Sequence, residues 1–224
     1  MQYKPQNVSR EIGPDGVEHM YVNGSLAMRM FIIFAAAYVM SYAFRAINAV
    51  IAQPLVQELG LTAGQLGFLA SAYFLSFAIM QLPVGVMLDR YGPRRVEAVL
   101  IGFAALGALL FAVADSYLVL WLGRALIGVG VSACLMAAVK AYSLYFRPHM
   151  QASLSSWMLV AGSLGALTVT TPVEAALPAL GWRGVFGVAA VLCVLAGFAL
   201  WFALPALFKP QKTKSVAEMD QGYR

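Results

Sequence analysis

Six apolar stretches, each near the length of a bilayer crossing and joined by short segments that hold most of the charge, decide what this chain can fold into. They fall at about residues 30–52, 66–88, 96–114, 118–139, 154–171 and 185–208. A helix needs roughly 20 apolar residues to cross the hydrocarbon core, where no water is present to satisfy open backbone. The pattern therefore predicts an all-α membrane protein, a bundle of six transmembrane helices. With 61% of its 224 residues hydrophobic and 11% charged, a soluble domain is excluded. The expected division is a cytoplasmic N-terminal arm (1–27), the bundle (28–208) and a cytoplasmic basic tail (209–224).

The net charge of +5 is not a nucleic-acid signal, because the basic residues sit in loops at membrane boundaries. Of the 15 Lys and Arg, all but Arg45, Arg124 and Arg183 fall on one side of the predicted topology. By the positive-inside rule that side is cytoplasmic, which puts both termini there and makes the chain a multi-pass protein of an inner or plasma membrane. The first 24 residues are polar and mixed in charge, with a Gly-Pro-Asp-Gly turn at 13–16, so no cleavable signal is read there.

The first span is not uniformly apolar. Tyr38, Ser41, Arg45 and Asn48 recur at steps of three, four and three, which places them on one helical face. A buried charge is costly and is expected to point into the bundle or a wet cavity, so Arg45 heads the candidate solute ligands. Its planar guanidinium suits a carboxylate or phosphate. Spans two, four and five also carry interior polar groups, whereas three and six carry almost none and are expected to shield the pathway from lipid. Mid-span carboxylates are missing from this reading: Glu58, Asp115 and Glu174 fall at outer ends, Asp89 and Glu97 at inner ends. Proton symport through these six spans alone is thereby disfavoured, leaving exchange or coupling through a carboxylate elsewhere. Cys134 and Cys193 read as small buried hydrophobes, and His19 and His149 lie outside any metal-ligand spacing. No catalytic, metal or cofactor site is expected, and an enzyme is disfavoured.

Between spans two and three, Gly85, Asp89, Arg90, Gly92, Arg94 and Arg95 form a tight charged loop. Their order resembles the signature between the second and third helices of the major facilitator superfamily, with Pro93 at a place where many members carry a basic residue. Arg124 with Gly128 and Gly130 is similar to the family's fourth-helix signature, and Gly181-Trp182-Arg183 to the approach to its sixth helix. The resemblance covers nearly all the chain after residue 27, but only one half of a complete member, whose two six-helix halves enclose solute at the midplane. It implies that Asp89 and the loop arginines gate the cytoplasmic side. It also implies that Arg124 serves proton coupling or acts as a strut. The second half would come from a separate chain, a homodimer or a missing C-terminal portion. The expected function is secondary transport of a small organic anion by alternating access, as symport or antiport. The alternative is a non-transporting membrane anchor or regulatory subunit. The partners expected are an anionic small molecule, lipid and a second half, with no nucleic acid.

Overall fold

The computed structural model describes residues 7–12 and 18–205. A β-hairpin, β1 (Val8–Ile12) and β2 (Glu18–Val22), precedes α1 (Gly24–Leu59), α2 (Ala63–Tyr91), α3 (Pro93–Ala112), α4 (Tyr117–Val131), α5 (Cys134–Tyr145) and α6 (Pro148–Phe198), which ends in a π-helical turn, Ala199–Ala203. The turn expected at 13–16 and the tail expected at 209–224 lie outside the described residues.

Among the described residues five helical runs are long and apolar enough to cross a membrane, and the last contains two crossings. At about 1.5 Å per residue its 56 residues would stretch to more than twice a hydrocarbon core of about 30 Å. The chain reverses at Gly181, whose φ of 63° lies in the left-handed region that favours glycine. Beyond it, Arg183 pairs with Glu58 at the end of α1, while Gly197 lies against Ile101 and Ala98 in α3. The 182–198 limb therefore runs back along α3, and the 148–180 limb lies on α1, where Gly162 meets Tyr38 and Gly165 meets Val39. Helices α4 and α5 form one crossing interrupted at Ser132 and Ala133. Six crossings result.

Several expected boundaries move. Residues 54–59, read as loop, continue α1 through Pro54, because one lost hydrogen bond does not end a helix held by its neighbours. Gly60 then caps α1 in the left-handed conformation, its N–H bonded to Val56 O. Thr62 and Gln65 close a reciprocal capping box that starts α2 at Ala63, three residues early. Residues 172–180, also expected as external loop, belong to α6 and carry Pro172 and Pro178 inside the helix. In the arm, Asn23 N–H bonded to Asn7 O closes the base of the hairpin, and an Arg147–Glu11 ion pair ties it to the bundle.

Burial on α1 follows helical spacing: Met30, Phe34, Ala37, Tyr38, Ser41, Phe44, Ile47, Ile51 and Leu55 are covered. The third span was expected to face lipid over much of its surface. It does expose one face, with Val99, Phe103, Leu106, Leu109 and Leu110, and on the other buries Leu100, Ile101, Ala104, Ala105, Gly107, Ala108 and Phe111, while α2 exposes Phe68, Phe74, Leu75, Ile79, Leu82 and Val86. Small residues explain how closely the buried face of α3 packs. An added Cβ on Gly130 would lie 2.2 Å from Ala104 N, so α4 crosses α3 backbone to backbone. On the other side of α4, a Cβ on Gly128 would lie 2.3 Å from Tyr73 O and 2.2 Å from Ser76 Oγ of α2.

Candidate functional site

Helices α1 and α2 make little direct backbone approach, and side chains bridge the gap between them. Arg45, partly exposed, reaches from α1 to donate its Nε–H to Tyr73 Oη at 3.2 Å. Tyr73 Oη in turn donates to Ser41 O at 3.2 Å, which fixes the phenol. Around the guanidinium stand the rings of Tyr42, Phe77 and Tyr73, with centroids 5.1, 5.0 and 5.9 Å from its central carbon. These distances are in the cation–π range. No carboxylate among the described residues pairs with Arg45. Its terminal nitrogens make no hydrogen bond there and are not among the buried unpartnered atoms, so they are open to a ligand.

Of the expected stripe, Arg45 alone faces this cage. Tyr38 is buried against Gly162 and bonds Tyr42 Oη at 3.4 Å, Ser41 contributes its backbone carbonyl, and Asn48 serves the second arginine. Tyr42, Tyr73 and Phe77 were missed as parts of the site. The signal for Tyr42 was its position three residues before Arg45, one turn along the same face.

Arg124, 1% exposed, donates from Nη1 to Phe44 O at 3.2 Å and from Nη2 to Asn48 Oδ1 at 2.6 Å. The rings of Phe111 and Phe186 lie 4.9 and 5.2 Å from its central carbon. Arg124 thus ties α4 to α1, and the glycines on either side of α4 let α2 and α3 close around it. Replacing it with glutamine is expected to lower the melting temperature in detergent, because Asn48 loses its partner and a void opens between the two phenylalanines, at about 1–3 kcal/mol. Relief of a desolvated charge acts in the opposite sense, and an unchanged melting temperature would show that it offsets the lost tie.

The space between the two arginines, lined by Phe44, Arg45, Asn48, Ala70, Tyr73, Phe74 and Arg124, is about 20 Å³, room for one water. A roomier cavity of about 270 Å³ lies elsewhere, between α1 and both limbs of α6. Met40, Phe44, Ile47, Val173, Val185 and Val188 make its wall apolar, unsuited to an anion.

At the basic end, Asp89 pairs with Lys140 of α5 at 2.8 Å, a partner within the same bundle that the sequence reading did not identify. Arg94 donates to Trp201 O at 2.6 Å and lies 5.7 Å from that indole, while Arg90 covers Tyr91. Gly92 has φ 82° and separates α2 from α3, Arg95 is exposed, and Gly85 has open space around it. At the opposite end Glu58 accepts from Trp182 Nε1 at 2.6 Å and from Arg183. Arg183 also reaches Ala114 O at 2.9 Å and Asp115 at 3.4 Å, joining α1, the α3–α4 turn and α6.

Glu97 keeps its expected place at the start of α3 but is enclosed there. Glu97, placed by sequence at an inner membrane end, is 0% exposed, and neither carboxyl oxygen has a hydrogen-bond partner. It sits four residues into α3, where Cys134 and Tyr142 of α5 lie against it. These crossings do hold an enclosed carboxylate.

The family profile of the Major Facilitator Superfamily matches residues 33–220. A probable sulfoacetate transporter, SauU of Cupriavidus necator, is 29% identical over 86% of this chain and 45% of its own length. A probable L-galactonate transporter of Escherichia coli K12 is 28% identical over 87% of this chain and 42% of its own. The chain thus spans less than half the length of these relatives. Among solved structures, an auto-inhibited POT family peptide transporter superposes with a TM-score of 0.67 at 16% identity, covering 81% of this chain and 39% of that one.

Proposed function

The chain belongs to the major facilitator superfamily, and from that premise we propose that it is the N-terminal half of a secondary transporter for a small organic anion, with Arg45 as the anion ligand. The observation that carries this reading is a partly exposed guanidinium that no carboxylate among the described residues neutralises, held by Tyr73 and aromatic faces with its terminal nitrogens free of hydrogen bonds to those residues. A carboxylate, sulfonate or phosphate would complete its charge and its planar donor fork. Sulfoacetate and L-galactonate, after which the two relatives are named, are of that chemistry.

The site is too small to enclose such a solute, so a second six-helix half is needed to form the other wall. The exposed apolar face of α2 suits that neighbour. The end carrying Asp89, Lys140, Arg94 and Arg147 is the cytoplasmic one on this reading, because basic loops remain inside. Native mass measurement of the purified complex, with every chain identified, tests the second half. Stabilisation by sulfoacetate or galactonate tests the site. A lone six-helix chain that no organic anion stabilises would favour the anchor reading.

The Asp89–Lys140 pair is expected to close the cytoplasmic side. Asp89→Asn should change stability by less than about 1 kcal/mol, since the carboxylate is 70% exposed. Proteoliposome uptake should fall several-fold. Equal losses of folded protein and of uptake would remove the gating role.

A further inference from the structure

The enclosed carboxyl of Glu97 is unused by the anion site. It lies where α3 meets α5, with the Cys134 thiol beside it but no hydrogen bond of normal geometry closed between them. The other titratable groups near it are Tyr142 of α5 and, behind Cys134, Cys193 of α6. Arg94, one turn earlier on α3, is directed at Trp201 O, and Lys140 of α5 is engaged by Asp89. No Lys, Arg or His among the described residues forms an ion pair with Glu97. No cluster of three His, Cys, Asp or Glu surrounds it there, so the chemistry does not fit a metal ion.

An ionised carboxylate in an apolar interior, with only a weakly donating thiol beside it and no counter-charge, is costlier than the same group carrying a proton taken from neutral water. We propose that Glu97 is a proton-binding site of the bundle, loaded in this conformation and discharged to water when α5 moves away from α3. The path of discharge follows from the fold. Helix α5 starts at the interruption of the helical hydrogen-bond ladder at Ser132 and Ala133, where the backbone stays right-handed, and the proposed hinge lies at that interruption. It carries both Cys134, which helps cover the carboxyl, and Lys140, which pairs with Asp89. Release of the ion pair would let water reach the acid, whose O–H bond then breaks with the proton passing to that water. The reverse movement reloads it. The site would give a transporter half a proton to exchange with the cytoplasmic side, and that last link rests on the transport reading.

Infrared spectroscopy of the full chain in lipid nanodiscs tests the site without any transport assay. At neutral pH the wild type should show the C=O stretch of a protonated carboxyl, shifted when the chain is made with carboxyl-labelled glutamate and lost in Glu97→Gln. Absence of the band in the wild type, failure of the label to shift it, or its persistence in Glu97→Gln overturns the proposal. Because the labelled wild type needs no substitution, the result stands even if the variant does not fold. In D2O the band should exchange several-fold faster in Asp89→Asn, which unties α5. An identical rate would overturn discharge through α5. Loss of anion binding in Arg45 variants, or its retention, leaves these outcomes unchanged, so the two readings fail separately.

Discussion

Arg45→Gln is expected to weaken organic-anion binding about a hundredfold. The terminal nitrogens of Arg45 can give two charge-assisted hydrogen bonds, and losing both costs about 3 kcal/mol, or two factors of ten in affinity. Stability should change little. Within the protein the substitution removes the 3.2 Å bond to Tyr73, worth about 1 kcal/mol, which in a chain of this size is a few degrees of melting temperature. Arg45→Lys should lie between, keeping the charge but not the planar fork. Solute-induced stabilisation and proteoliposome uptake, measured on the same preparations with sulfoacetate and galactonate, separate binding from folding. Uptake that survives both substitutions would end the ligand role.

Gly130→Leu should be the most destabilising of these changes, at about 3 kcal/mol or more, seen as a fall in melting temperature of roughly 10 °C or as loss of folded protein. A Cβ there meets Ala104 backbone and side-chain atoms at 2.2 and 2.5 Å, and a helix backbone with a lone methyl leaves nothing flexible to yield. Helices α3 and α4 would have to separate, which also loosens Phe111 over Arg124. Gly102→Leu is the matched control, with nothing within 4 Å of its added Cβ. It should be neutral or slightly stabilising, since leucine is the better helix former. Similar melting temperatures for the two variants would contradict close α3–α4 packing.

The amino-acid sequence by itself determined the number of crossings, the basic end and the two arginines within spans, because each depends on transfer of single residues between water and hydrocarbon. Hydropathy and charge are local quantities, and one sequence carries them. Partnerships are not local. Tyr38, Ser41, Arg45 and Asn48 share a helical face, yet α2 claims Arg45 through Tyr73 while α4 claims Asn48 through Arg124. Nothing in the spacing of α1 contains that split, since it depends on which helices lie opposite. Asp89 meeting Lys140 and Trp182 meeting Glu58 likewise join residues 51 and 124 positions apart. Proline and loop composition misplaced the ends of α1 and α6, because tertiary neighbours hold a helix through a single lost hydrogen bond. Glu97 shows the limit most plainly. The sequence places this glutamate at the inner end of a span, and only the covering of that stretch by α5 made it an enclosed acid.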